Sequence, residues 1–269
     1  MKKNFKLGFT LIEMAIVVII IGVFIAGVLG GQELLEVNKR NSLITELQKY
    51  HDATVQFKEK YKFYPGDFPF AETTFVTGNG NFLRNGDGDG IIEICGDNDL
   101  PSDCPKYSEE LRAWSHLGEE GLIKESYPGG RDGFGSEPNY LPPGRYMPKS
   151  AYKSTIFRFA DPNITFFANS YYDLGLPDIS SYPVALTVAK IDSVTSVIDS
   201  FEGFTNTENI YTIDLKMDDG NPKQGDIINL STIPTFDNCS STAEPLVNSV
   251  YRFDTSAENC TLIYLINND

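Results

Sequence analysis

The residues of this 269-residue sequence best suited to hold a cation are Asn85-Gly86-Asp87-Gly88-Asp89-Gly90-Ile91-Ile92-Glu93. Calcium takes about six to eight hard oxygens, and Asn85, Asp87 and Asp89, alternating with glycine, bring side-chain oxygens to one tight loop. Gly90 permits a sharp turn, the carbonyl of Ile91 supplies a further oxygen, and apolar Ile92 follows. Glu93 reaches the ion directly or through water. The spacing of a helix–loop–helix calcium site fails at its last ligand, where Gly96 stands in place of a bidentate glutamate; Asp97 or Asp99 could substitute. The expected set is Asn85, Asp87, Asp89, Ile91, Glu93 and Asp97 around a structural Ca2+. The competing reading is a turn that needs no ion, because Asp, Asn and Gly favour turns by themselves. Asp214, Asp218 and Asp219 form a weaker acidic group, in which Asp218-Asp219-Gly220 reads as a turn.

Another carboxylate stands in an apolar setting. Residues 1–8, Met-Lys-Lys-Asn-Phe-Lys-Leu-Gly, are short and basic, and Glu13 carries the one charge between Phe9 and Gln32. About twenty helical residues cross a ~30 Å hydrocarbon core, and Phe9 to Gly31 is long enough. Basic residues before the apolar run and an acidic body after it place the N-terminus in the cytoplasm and the body outside. A carboxylate at the start of such a helix is costly and by default functional. Were the chain cut between Gly8 and Phe9, the new amine and Glu13 would lie one helical turn apart, and the two charges could neutralise each other within a subunit or between neighbours. A secretory signal peptide has a shorter apolar region and an A-x-A-like site, which Val28-Leu29-Gly30-Gly31 does not supply. A plain signal anchor explains the apolar run but not the acid.

The cysteines are Cys95, Cys104, Cys239 and Cys260, with no C-x-x-C among them, so neither a thioredoxin-like nor a zinc-ribbon motif is present. An even count in an exported body points to disulfides, with three connectivities open. The local pairing, Cys95–Cys104 and Cys239–Cys260, is the expected one. The formal net charge of −15 argues against non-specific nucleic-acid binding. The 41% hydrophobic content is ordinary for a packed globular protein.

The elements that must position these residues can be read from the pattern. Apolar residues recur at threes and fours through Leu34, Leu35, Val37, Leu43, Ile44, Leu47, Tyr50, Val55, Phe57 and Tyr61, with no proline before Pro65. This predicts one helix from about Thr10 to Tyr61, its first half membrane-spanning and its second amphipathic. Tyr64-Pro65-Gly66-Asp67-Phe68-Pro69 ends it. A loop-rich stretch follows through about Pro105. Ser108–Leu122 reads as a short helix with Ser108 as N-cap and Leu111, Trp114 and Leu117 on one face. Trp114 reads as core rather than site, and His51 as a satisfied histidine. Residues 127–150 are rich in Gly and Pro and read as an irregular connection. Strand-like runs are Ser154–Ala160, Asn163–Asn169, Tyr182–Ile191, Val250–Phe253 and Thr261–Ile266, with a helix over Asn206–Lys216. The fold class is α+β: a long N-terminal helix packed on a C-terminal globular domain with an antiparallel sheet and loop-rich segments.

Gly8-Phe9-Thr10-Leu11-Ile12-Glu13, behind lysines and ahead of an apolar run, resembles the signal of type IV prepilins and type II secretion pseudopilins. The resemblance implies cleavage after Gly8 by prepilin peptidase, N-methylation of Phe9, retention of the apolar helix, and a role for Glu13 in subunit addition. Gly22 matches a glycine common in pilins, whereas Gly30 stands where many pilins carry proline. It further implies other pilin or pseudopilin subunits, an inner-membrane platform protein and an assembly ATPase as partners. Tyr64-Pro-Gly-Asp-Phe-Pro, Asn85-Gly-Asp-Gly-Asp-Gly, the Trp114 helix, Ile213-Asp-Leu-Lys-Met-Asp-Asp-Gly and the Cys239 and Cys260 pair look like a group of large prepilin-like proteins. The expected division is a leader at 1–8, a long helix at 9–62 with 9–31 in the membrane, and a periplasmic or extracellular domain at 63–269. The expected role is a minor or specialised filament subunit. The alternative is a surface-displayed adhesin or ligand-binding protein exported by the same signal. With two histidines and no G-x-S-x-G or H-E-x-x-H, no enzyme is expected.

Overall fold

The computed structural model describes residues 10–75, 83–92, 109–129, 143–160, 182–190, 203–230, 239–241, 248–254 and 260–266. The chain divides into two units, residues 1–41 and 42–269. The first consists, where described, of the opening part of helix α1, which runs without a break over Leu11–Tyr61. The four glycines in this part, Gly22, Gly27, Gly30 and Gly31, do not end it; a Cβ added at any of them would meet nothing within 4 Å. Its apolar side chains are exposed from Leu11 through Leu29. This is a helix long and apolar enough to cross a membrane.

The second unit holds the core. From residue 42 onward α1 turns amphipathic and buries Leu43, Leu47, Tyr50, Ala53, Thr54 and Phe57, the spacing of one helix face. Lys62 adopts a left-handed φ of 68° as the helix ends, and Tyr64-Pro65 prevents its continuation. A single turn α2, Ala71–Thr74, and helix α3, Glu109–Glu119, come next. Ser108, expected to cap α3, and strand Asn163–Asn169 lie outside the described residues.

Strands β1 (Thr155–Ala160), β2 (Val184–Lys190), β3 (Ile227–Leu230) and β4 (Thr261–Ile266) form an antiparallel sheet in the order β1-β2-β4-β3. The α+β class is as expected. Alternation sorts the side chains by face: Val184, Leu186, Val188, Leu262, Ile266 and Ile227 join the main core, while Ala185, Ile228, Ile263 and Leu265 form a smaller cluster with Tyr182. Helix α4, Thr207–Met217, is N-capped by Asn206, whose side chain accepts the Asn209 N–H at 3.0 Å. The run Val250–Phe253 is not a strand. Among the described residues it makes an isolated bridge, Tyr251 to Ser240, and leaves Val250 and Phe253 exposed.

The centre of the core is aromatic. Tyr50 of α1 meets Trp114 of α3 and Phe157 of β1 edge-on, each at 5.0 Å, and Trp114 packs on Phe159 at 4.5 Å. Trp114 is therefore core, joining helix α1, helix α3 and the sheet at one point. His51 stacks on Tyr264 at 5.1 Å and faces Asp52 at 3.2 Å. A disulfide links Cys239 and Cys260, closing the C-terminal strand onto the residues after β3. A loop of this size, 21 residues of separation, restricts the unfolded chain by about 3 kcal/mol. Cys95 and Cys104 lie outside the described residues.

Candidate functional sites

Three segments distant in sequence converge beside the end of α1. The turn Tyr64–Phe68 is buried throughout, which is unusual for a loop and requires its polar groups to find partners. His116 of α3 supplies one: its Nδ1 accepts the Gly66 N–H at 2.9 Å, and its Nε2–H donates to the Arg84 carbonyl at 2.9 Å. Burial holds this imidazole near pKa 4, so it is neutral with the proton on Nε2. The Asn85–Gly90 loop then lies directly on the turn. A Cβ on Gly86 would fall on the backbone of Gly66 and Asp67, so no other residue fits there. Gly86 N–H donates to the Phe68 carbonyl at 2.9 Å, and Arg112 Nη1 donates to the Asn85 carbonyl at 3.0 Å.

The carboxylates of Asp67, Asp87 and Glu109 meet at this junction, with one oxygen from each lying within 4.8 Å of the others. Asp67 and Glu109 are buried, and Asp87 is exposed. Glu109 accepts the Asp87 N–H at 3.1 Å and has Arg112 at 3.9 Å. Asp67 Oδ2 accepts the Gly90 N–H at 3.2 Å, while its Oδ1 is buried with no hydrogen-bond partner. Burial raises the Asp67 carboxyl to about pKa 7, with the Gly88 and Gly90 N–H groups opposing and the charges of Asp89 and Asp87 adding. Asn85 and Asp89 are used otherwise: Asn85 Oδ1 accepts the Glu72 N–H of α2 at 2.9 Å, and Asp89 Oδ1 accepts the Ile91 N–H at 2.8 Å. Ile92 is buried in the core, and Glu93 and Asp97 lie outside the described residues. Of the sequence-predicted oxygens, the structure thus brings Asp87 into a carboxylate group, and the other two members come from segments read only as a helix stop and a helix start.

Asp214, Asp218 and Asp219 form a second group. Each member accepts a backbone N–H, and Asp214 also accepts a tyrosine hydroxyl. Asp214 accepts the Tyr251 O–H at 2.6 Å and the Gly220 N–H at 3.1 Å, Asp218 accepts the Ile227 N–H at 2.9 Å, and Asp219 accepts the Asn221 N–H at 2.7 Å. With Gly220 at φ 77°, this is the turn read from the sequence. Burial pushes Asp214 up to about pKa 7, against an ordinary value of 3.8. A carboxyl raised on folding contributes stability that is full below its unfolded pKa and is lost as pH rises through the folded one. Asp214→Asn removes this titration. The melting-temperature advantage of wild type over the variant is expected to shrink between about pH 4 and pH 8, and a gap flat across that range would refute the assignment.

The start of α1 is built differently. Thr10 and Glu13 bond reciprocally: Glu13 Oε2 accepts the Thr10 N–H and the Thr10 hydroxyl, both at 2.8 Å, and Thr10 Oγ1 accepts the Glu13 N–H at 3.3 Å. This is a capping box, with Thr10 as N-cap and Glu13 three positions on, and it fixes where the helix begins. It also holds the Glu13 carboxylate at the first turn, against the positive end of the helix dipole. The pattern T-x-x-E was present in the sequence as a capping signature. Gly8 and Phe9 lie outside the described residues.

Residues 3–29 match the prokaryotic N-terminal methylation motif. This is a prepilin-type signal. It covers the basic start, the Gly8-Phe9 junction, Glu13 and most of the exposed apolar helix, and together with that helix it fits anchoring in a membrane. A chain bearing a prepilin-type signal is prepilin-like, which implies processing by prepilin peptidase and assembly with pilin-type partners. The match ends before the second unit begins. No curated protein and no solved structure matches the chain.

Proposed function

We propose that the chain is a subunit of a type IV pilus or type II secretion pseudopilus, and within that filament a minor or specialised one. The observation that carries this reading is the prepilin-type signal ending in a helix that continues unbroken into the body. Prepilin peptidase cuts between Gly8 and Phe9 and methylates the new Phe9 amine. Before assembly the chain is a single-pass inner-membrane protein with residues 1–8 in the cytoplasm and the body in the periplasm. The platform protein and assembly ATPase then draw it into a bundle of apolar helices. Glu13 is the guide in that step. In the free subunit its carboxylate is occupied by its own N-cap. A carboxylate accepts several hydrogen bonds. A neighbour's N-terminal amine therefore adds a charge-assisted bond in a medium where an unpaired carboxylate is costly. The acidic body is displayed on the filament, and its chemistry does not favour catalysis.

Deletion of the chain tests the reading. Loss of sheared surface filaments, or of secretion, supports a subunit needed for assembly. Filaments of normal number and length from the deletion strain, with the chain absent from the sheared filament fraction of the wild type, would overturn it.

A further inference from the structure

We propose that Asp67, Asp87 and Glu109 form a structural divalent-cation site that clamps the end of α1 to the Asn85–Gly90 loop and to helix α3. Several observations point there independently. The first is geometric. Ca2+ binds oxygens at about 2.4 Å, so two of its ligands are at most about 4.8 Å apart. One oxygen from each of these residues lies within 4.8 Å of the others. That spacing is within the reach of one Ca2+, whereas the shorter ~2.1 Å bonds of Mg2+ span at most about 4.2 Å.

The second observation concerns Asp67 alone. Its side chain is fully buried, and its Oδ1 has no hydrogen-bond partner. Buried carboxylate oxygens are ordinarily paired, and an orphan is expensive. A cation among the clustered carboxylates gives that oxygen a partner. The third is the chemistry of the donors. They are all hard oxygens on short or helix-borne side chains, and this donor set favours Ca2+ over transition metals. Among the described residues, positive groups near the cluster include Arg112, 3.9 Å from Glu109 Oε1, and Lys58, whose Nζ sits 4.0 Å over the Tyr64 ring and which feels the Asp67 charge. Arg112 is also bonded to the Asn85 carbonyl at 3.0 Å, so its guanidinium is shared with the loop backbone. The proposed site differs from a loop-contained calcium site: of the loop's own side chains only Asp87 belongs to the cluster, and the ligands come from different segments.

A cation here would tie the chain leaving the long helix to the globular body, so the expected effect is on folding stability and on the order of the 85–92 loop. The full-length chain, purified in detergent and stripped with EDTA, is titrated with CaCl2 or MgCl2 in a calorimeter and followed by thermal unfolding. One Ca2+ is expected per chain, with a melting temperature raised by about 5 °C or more at saturating Ca2+ and a smaller shift with Mg2+. Asp87→Asn, at the exposed member, is expected to fold and to weaken Ca2+ binding at least about tenfold. Asp67→Asn is expected to abolish binding, and Asp219→Asn, in the second acidic group, to leave it unchanged. No Ca2+ binding to the wild-type chain overturns the proposal, and so does binding that survives Asp87→Asn or is lost in Asp219→Asn.

Discussion

Replacing Glu110 by alanine is expected to cost the globular unit about 3–5 kcal/mol. Glu110 of α3 and Arg158 of β1 form a buried, two-pronged pair, Arg158 Nε to Oε1 at 2.7 Å and Nη2 to Oε2 at 2.9 Å. Both side chains are at most 5% exposed. The planar guanidinium matches the carboxylate in the fork geometry that makes such pairs strong. The cost of the substitution lies less in the bonds lost than in what remains. Arg158 cannot shed its proton, and alanine takes from its buried charge the two-pronged carboxylate of Glu110. Removing both charges is a different experiment. Glu110→Leu with Arg158→Met replaces the pair by apolar groups of similar bulk and is expected to cost far less than the single change, with no loss at all within reach. The chain has one tryptophan, Trp114, fully buried one turn from Glu110, so its fluorescence reports unfolding in denaturant directly. A loss below about 1 kcal/mol for Glu110→Ala would show that water or another acceptor reaches Arg158.

How such a pair escapes sequence reading is instructive. Nothing in Glu109-Glu110 at the start of a helix distinguishes them from ordinary acids at the positive end of the dipole. Both are buried here, each by a partner from elsewhere: Arg158 for Glu110, and the Asn85–Gly90 loop for Glu109. The same blindness applies to Asp67. Read along the chain it belongs to a Pro-Gly-Asp helix stop; folded, it lies under a loop whose Gly86 packs on its backbone. Spacing arguments find ligands carried by one segment, and the carboxylates that converge here come from separate segments. Long-range pairing likewise hid β3. Its residues, Ile227–Leu230, follow a Gly- and Asp-rich turn and become a strand by pairing with β4. Val250–Phe253 erred in the other direction, because β-branched and aromatic composition measures fitness for a half-buried sheet, and Val250 and Phe253 are exposed.

What was legible was local. Helix α1 needed only an uninterrupted apolar run, then apolar residues at threes and fours up to Pro65, and it ends at Tyr61 as that pattern requires. Helix α4 was read over Asn206–Lys216, and strands β1, β2 and β4 from their aromatic and β-branched residues. The signal was the most legible feature, because its chemistry is written in consecutive residues.

That signal carries the largest expected effect. In Gly8→Leu the chain is expected to keep residues 1–8 entirely, with cleavage reduced about a hundredfold or more. A protease that cuts beside glycine must accommodate the residue before the scissile bond in a space sized for no side chain, and a leucine there displaces the carbonyl that must be attacked; a misplacement on the order of 1 Å suffices for such losses. Two consequences follow. The Phe9 amine is never freed, so methylation has no substrate. The leader's lysines also stay attached next to Glu13, and the N-terminal charge that would meet a neighbour's carboxylate is missing. Mass spectrometry of the membrane-extracted chain reads both at once: wild type is expected to begin with methylated Phe9, and the variant with its leader intact. Glu13→Gln separates cutting from assembly. Its amide keeps an oxygen for the Thr10 N–H, so the capping box and the helix start survive, while the charge is gone. That variant is expected to be cut and methylated as in wild type but to be missing from the sheared filament fraction. Gly8→Leu chains of mature mass would refute the cleavage site, and Glu13→Gln chains incorporated at wild-type levels would refute the role given to the carboxylate.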